Sequence, residues 1–377
     1  MGPLAGVRVL EVAAIGASPM TGMILADMGA DVIRVERASQ DTPMTRSDPS
    51  YRGKRSIALD LKSPQGVDAF LRLAETADVV TEGFRPGVVE RLGIGPEECR
   101  ARNPALVYGR MTGWGQDGPL AQAAGHDINY ISLTGVLHAI GTAGEPPVPP
   151  LNLVGDMGGG GMLLALGILA ALYESRASGQ GQVVDAAMTD GSALMMWMFH
   201  GFSAMGLHNV DRRGANILDG GAHFYGCYET ADGKYVSIGS IEPQFYAQLI
   251  ELAELNPDKF ARQLDQQRWP ELRVALAEVF RQKTRDEWCE LLEGTDVCFA
   301  PVLSLQEAPE HPHNAARETY VDVDGLLQPA PAPRFDRTPS EIRHGNRPLG
   351  SDTEDVLVEA GFDETEIESL RKSGCLT

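Results

Sequence analysis

The sequence predicts an α/β fold, with a helix-covered parallel sheet in a large domain and a smaller α+β domain behind it. Three observations predict this. Strand and helix patterns alternate up to about residue 120, the character of the chain changes after about residue 214, and two strand-like runs then flank Ala231-Asp232-Gly233. Alternation is the signature of parallel strands joined by crossover helices. A short polar, Gly-containing turn between two strand-like runs is a hairpin signal.

In chain order, residues 7–12 (VRVLEV) read as a buried strand, 19–28 as a helix and 31–35 as a second strand. Ser63-Pro64 opens a helix to about residue 76, with Ser as N-cap and Pro in the first turn. Strands follow at 78–81 and 105–110. Residues 161–173 form the most apolar helix, too short to cross a bilayer and halted at Glu174, and are expected as a buried core helix. Residues 182–187 read as one more core strand, and a Met-rich helix is expected over 190–205, with Met195, Met196, Trp197 and Met198 in core packing. In the second domain, about 222–305, strands at 224–230 and 234–240 precede helices at 243–255, 269–281 and 285–292. Residues 328–334 are a Pro-rich linker or crossing segment. Two short helices end the chain, capped by Ser351 or Asp352 and by Asp363, and no internal repeat is evident.

Composition narrows the function classes. The chain has 377 residues, 43% hydrophobic and 22% charged, which suits a soluble globular protein with a sizeable core. A net charge of −20 argues against a general nucleic-acid binder. Cations nevertheless concentrate between residues 34 and 110, among them Arg37, Arg52, Lys54, Arg55, Lys62, Arg85 and Arg91, and an anion site is expected there. The five cysteines, an odd number without a C-x-x-C pair, argue against a disulfide framework or a structural zinc and for a reducing, cytoplasmic setting. The opening residues lack the pattern of a secretory signal, so neither a leader nor a membrane partner is expected. Neither H-E-x-x-H nor G-x-S-x-G occurs, and no metal site is expected; His311-Pro-His313 reads as a solvated loop.

Two polar, Gly-rich stretches carry the candidate chemistry. Thr112-Gly-Trp-Gly-Gln-Asp-Gly-Pro119 is a tight loop, and Gly125-His-Asp-Ile-Asn-Tyr130 opens a helix expected to run to about residue 139. On local sequence alone Asp127 reads equally well as an N-cap with His126 its polar neighbour. Asn152-Leu-Val-Gly-Asp156 precedes Gly158-Gly-Gly-Gly161, and Asp156 too can be read as an N-cap. The glycines permit close approach of backbone or ligand. This is not a dinucleotide fingerprint: prolines, not a strand, precede the Gly run, and the first βα turn carries Ile15-Gly-Ala-Ser-Pro19 instead of G-x-G-x-x-G. NAD and FAD are therefore disfavoured.

Several segments together resemble one family. They are Pro3-Leu-Ala-Gly-Val-Arg-Val-Leu-Glu11, Ala26-Asp-Met-Gly-Ala-Asp-Val-Ile33, Glu82-Gly-Phe-Arg-Pro-Gly87, Gly113-Trp-Gly-Gln-Asp-Gly-Pro119, Gly125-His-Asp-Ile-Asn-Tyr130, Pro149-Pro-Leu-Asn-Leu-Val-Gly-Asp156, Gly181-Gln-Val-Val-Asp-Ala186 and Gly350-Ser-Asp-Thr-Glu-Asp-Val-Leu357. Over essentially the whole chain the sequence is similar to the branch of the class III CoA-transferase (CaiB/BaiF-type) family that racemises 2-methylacyl-CoA thioesters. The resemblance implies a Rossmann-like large domain at 1–200, a linker at 201–221, the small domain at 222–305, a linker at 306–335 and a segment returning to the large domain at 336–377, in an interlocked homodimer. It implies His126 and Asp156 as the two acid/base residues, with Glu242 contacting the histidine. It further implies binding of the acyl-CoA by Arg37, Leu59, Asp60, Leu61, Lys62, Gly83, Phe84, Arg85, Arg91, Gly125, His126, Asp127, Ile128, Asn129, Tyr130 and Asn152, with coenzyme A as part of the substrate and no separate cofactor. Phe84 stands where tyrosine is common and Leu59 where a smaller residue occurs. The rival within the family is CoA transfer between carboxylic acids, with Asp156 as nucleophile; a non-enzymatic CoA-ester carrier ranks below both.

Overall fold

The computed structural model describes residues 2–37 and 47–376, and the chain divides into two units. The first comprises the chain up to Thr134, Leu151–Met195 and the residues from Tyr320 on; the second comprises Gly135–Pro150 and Met196–Thr319.

Six parallel strands build the first unit: β1 (Arg8–Val12), β2 (Asp31–Glu36), β3 (Arg55–Ala58), β4 (Val79–Glu82), β5 (Val107–Thr112) and β6 (Val183–Ala187). Their order, β3-β2-β1-β4-β5-β6, is that of doubly wound nucleotide-binding sheets, with the topological switch between β1 and β4. Side chains alternate across the sheet. Val7, Val9, Val32, Val79 and Val107 pack on one face with helices Ala17–Asp27 and Leu163–Ser178. Leu10, Val12, Ile33, Val35, Val80 and Tyr108 pack on the other with helix Pro64–Ala74 and with Val356, Leu357, Ile367 and Leu370 of the two C-terminal helices. Ser63 caps Pro64–Ala74 by accepting the Gly66 N–H at 3.0 Å. Asp363 caps the last helix, whereas the Asp352 carboxylate accepts from the Ser56 N–H of β3 instead.

Up to Ala204 the chain departs from the sequence reading in four places. Strand β6 lies at the sheet edge and is half exposed, not a core strand. The apolar helix is longer than 161–173: helix Leu163–Ser178 continues a π-helical turn, Leu153–Met162, and Glu174 does not end it. By length and composition this run could cross a membrane. One of its faces, with Leu164, Ile168, Ala171 and Leu172, is buried in the unit's core, while Met162, Leu166 and Tyr173 are exposed. The helix after His126 stops at Ser132 and a separate one, Val136–Ala139, follows Gly135 in its left-handed conformation (φ 82°). The Met-rich helix is broken into Met188–Met195 and Trp197–Ala204 at Met196, where the two units meet in sequence. Met195 and Trp197 are exposed, so they are not core residues of the single chain.

The returning segment begins at Tyr320, inside the stretch read as a linker, because strands β10 (Tyr320–Val323) and β11 (Leu326–Pro329) pair and Arg52 bonds both Gln328 and the Pro329 carbonyl.

In the second unit an antiparallel sheet, β7 (Tyr225–Glu229), β8 (Tyr235–Gly239) and β9 (Phe299–Val302), packs on helices Pro243–Leu252, Trp269–Phe280 and Arg285–Leu292. Phe224, Tyr228, Tyr246, Trp269, Phe280 and Trp288 fill the core between them. Arg213 holds Gly135–Pro150 in this unit by donating to the His138 and Glu145 carbonyls.

Candidate active site

In doubly wound sheets ligands bind beyond the carboxyl ends of the strands, at the switch point. The first unit has three adjoining cavities there. One of about 570 Å³ is lined by residues following β1 (Ile15, Gly16, Ala17), β4 (Gly83, Phe84, Arg85) and β5 (Gly113, Trp114), together with His126, Tyr130 and Asp156.

Each chemical group is held by its neighbours. His126 is the N-cap of helix Asp127–Ser132, and its backbone N–H donates to Asn129 Oδ1 at 3.1 Å. Asp127 is therefore the first residue inside the helix and not its cap. Its carboxylate reaches instead to the neighbouring segment, where Oδ1 accepts the backbone N–H of Asp156 at 2.7 Å. Asp156 is not an N-cap either; it sits in the first turn of the π-helical stretch, and its Oδ2 accepts from Asn152 Nδ2 at 3.1 Å. Burial pushes the Asp156 carboxyl above the usual range, the Asp127 charge adds to that, and the Asn152 hydrogen bond and His126 oppose it. The Tyr130 hydroxyl donates to the Gly125 carbonyl and its ring meets Trp114 edge-on at 4.8 Å, which braces the backbone entering His126.

Two further recesses continue along the same edge. One, about 150 Å³, is lined by Arg37, Leu59, Leu61, Lys62 and Phe84 among others. The next, about 570 Å³, has Lys62, Arg91, Leu61 and Val67 in its wall. Phe84 is common to the first and second, Leu61 and Lys62 to the second and third.

The structure thus gathers His126, Asp156, Gly83, Phe84, Arg85, Gly125, Asn129 and Tyr130 at one cleft and Arg37, Leu59, Leu61, Lys62 and Arg91 along its continuation. Asp60 lies beside this edge, turning the loop by accepting the Lys62 N–H. Ile128 is 42% exposed and lines none of these cavities, and Asn152 touches the site through Asp156. Glu242 belongs to the second unit, exposed at the N-cap of helix Pro243–Leu252. Among the expected anion-site cations, Arg52 pairs with Asp27 (2.6 Å), Lys54 with Glu11 (2.7 Å) and Arg55 with Asp31 (2.6 Å), inside the fold. Ile15, Gly16 and Trp114 were not singled out from the sequence as site residues. Their signal was position: the turn after β1 at the switch point, and the loop after β5.

The profile of CoA-transferase family III matches residues 4–353. The chain is 46% identical to the mouse (Mus musculus) protein named alpha-methylacyl-CoA racemase and 43% identical to the human (Homo sapiens) protein of that name, in each case over 97% of this chain and 96% of the relative. Among solved structures, a CaiB/BaiF family protein from Brucella suis superposes with a TM-score of 0.81 at 26% identity, covering 95% of this chain and 99% of that one. A profile match over nearly the whole chain, full-length relatives and a shared six-stranded parallel sheet agree, and the chain belongs to the class III CoA-transferase family.

Proposed function

We propose that the protein is a racemase that interconverts (2R)- and (2S)-2-methylacyl-CoA thioesters by two-base proton exchange at C2. The observation that carries this reading is the placement of an imidazole, His126, and a carboxylate of raised proton affinity, Asp156, in one cleft of the first unit. Inversion requires one group to take the C2 proton from one face and another to return a proton to the opposite face. A carboxyl shifted upward by burial is a better base than an ordinary one, which brings it toward the range that efficient proton transfer requires. The electron pair left at C2 delocalises onto the thioester oxygen as an enolate, stabilised by N–H groups of the Gly-rich walls. The chemistry uses no metal and no separate cofactor.

Arg37, Lys62 and Arg91 hold the phosphates of coenzyme A along the two outer recesses, and Arg85 guards the inner cleft. This anchoring leaves the acyl end free to present C2 to either base. Glu242 is a third member of the catalytic set, and the assembled enzyme is an interlocked homodimer. The exposed apolar face of Met162, Leu166 and Tyr173 supports a covering partner chain rather than a membrane. All five cysteines are free, which supports a reducing cytoplasmic setting.

The test incubates one epimer of a 2-methylacyl-CoA in heavy water, with and without an added free carboxylic acid. Deuterium entering C2 as the other epimer forms, with no acid required, is the expected result, and His126→Ala or Asp156→Ala then lowers inversion by ~10²–10⁴-fold. A C2 that stays protonated while CoA moves to the added acid overturns the racemase in favour of a transferase with Asp156 as nucleophile.

A further inference from the structure

We propose that Asp127 is a positioning residue whose buried carboxylate ties the segment carrying Asp156 to the helix opened by His126, and so sets the spacing of the two bases. The proposal rests on the racemase reading above.

The tie follows from the local geometry. In the π-helical stretch Leu153–Met162 the Met157 N–H reaches back five residues, to the Asn152 carbonyl at 3.2 Å. A helix with that spacing leaves the N–H groups before Met157 without a carbonyl of their own turn. The Asp156 N–H is one of them, and Asp127 Oδ1 supplies the missing acceptor at 2.7 Å. The two residues are 29 positions apart, so the bond joins separate segments. Asp127 is only 6% exposed, and its second oxygen, Oδ2, is buried without a hydrogen-bond partner. A half-satisfied buried carboxylate is costly to the fold, which makes a purely stabilising role a poor account of it. Gly155 is part of the device. A Cβ there would stand 2.4 Å from Asp127 Oδ1, so only glycine lets the carboxylate approach the chain just before Asp156.

His126 and Asp127 are adjacent. Any displacement of the Asp127 carboxylate from the Asp156 N–H therefore changes the position of one base relative to the other, while each retains its own side chain. The groups acting on the Asp156 carboxylate are Asp127 and His126 from one helix and Asn152 from its own segment, with Arg85 and Tyr130 in the same cleft wall. Removing the Asp127 charge without removing an acceptor oxygen relieves one of the two influences that raise the Asp156 carboxyl.

The experiment compares Asp127→Ala and Asp127→Asn with the full-length enzyme in heavy water, resolving C2 exchange with inversion from exchange with retention. A single base that equilibrates with solvent suffices for retention, whereas inversion needs both. Asp127→Ala is expected to lower inversion by ~10-fold or more, the cost of a lost bond to a charged acceptor, while retention exchange of the epimer facing His126 changes by less than ~3-fold. Asp127→Asn keeps an acceptor oxygen but a neutral one, and is expected to lower inversion by less than Asp127→Ala does, with retention exchange again changed by less than ~3-fold. It also moves the acid limb of inversion to lower pH for the epimer facing Asp156. Equal loss of both exchanges in Asp127→Ala overturns the proposal, as does full inversion in that variant. Should Asp127→Ala not fold, Asp127→Asn decides: equal loss of both exchanges, or no loss of inversion, overturns it. Failure of the racemase reading looks different, since the parent enzyme then exchanges nothing at C2, and the proposal falls with it.

Discussion

The basic stretch between residues 34 and 110 holds two populations of cations that the sequence does not separate. Arg52, Lys54 and Arg55 lie before or at the start of β3 and are consumed by carboxylates of the fold. Arg34, within β2, pairs with Glu36 at 2.6 Å and stacks on Tyr51 at 3.6 Å. Arg37, Lys62 and Arg85 follow the ends of β2, β3 and β4, and they line cavities. Position along the strand decides the role. Cations at the amino ends or within the sheet meet other elements of the chain and are desolvated with them. Cations just past the carboxyl ends emerge where crossover loops part and leave space for a ligand.

The most severe way to break that division is to remove a cation of the first kind. Lys54 is fully buried, donating to both oxygens of Glu11 and to the Pro19 carbonyl at 2.8 Å. Lys54→Met strands the Glu11 carboxylate in the interior and is expected to cost ~3–5 kcal/mol of stability, read as a fall in the denaturant midpoint. Lys54→Met with Glu11→Leu should recover most of the loss, because the uncompensated charge, not the missing pair, is the penalty. A mild effect of the single change would mean that the pair is not insulated from water.

Next in size is a change that tests how closely the site's own support is packed. At Gly159 a Cβ would sit 2.8 Å from the Ser192 backbone nitrogen of helix Met188–Met195. Gly159→Ala must push two helical segments apart and is expected to cost ~1–3 kcal/mol. Inversion should fall with it, since Asp156 is carried on the displaced segment. Unchanged melting and unchanged inversion would show that the seam is loose.

Much of this was legible in the sequence and some was not, for reasons that can be named. The strands of the sheet announced themselves because both faces are buried, which makes runs such as residues 7–12 mostly apolar, with only Arg8 and Glu11 interrupting the valines and leucine. The hairpin of the second unit was legible from its turn, and the gathering of His126 with Asp156 from family resemblance alone. The π-helical geometry was not, because a run of glycines has no side-chain period to read. Nor were the partners of the cations, since Lys54 and Glu11 are 43 residues apart and nothing local links them. The exposed Met195 and Trp197 misled for the opposite reason: apolar side chains read as core whether or not their own chain covers them.

For cations of the second kind the expectation is the reverse of that for Lys54. Lys62→Ala and Arg91→Ala should each raise KM for the acyl-CoA by ~10-fold, the worth of one charge-assisted contact, with kcat and the melting temperature nearly unchanged. Rising salt should narrow the gap between variant and parent. A variant that melts early instead would place its residue with the structural cations.

The smallest expected effect is one of sign. A carboxyl whose affinity for protons is raised by folding, as burial raises that of Asp156, holds more protons in the folded chain than in the unfolded one. Its contribution to stability is then present at low pH and is lost as pH rises through the ordinary carboxylate range up to the folded value. Asp156→Asn, which keeps the size and an oxygen for Asn152, should therefore melt slightly later than the parent at neutral pH and no later at a pH below that range. The same substitution is expected to abolish inversion, measured as loss of epimer interconversion in heavy water. A group that costs the fold stability while ionised and yet is needed for turnover is what a site built for proton transfer should contain. A variant less stable than the parent at neutral pH would instead make Asp156 a structural residue of its helix.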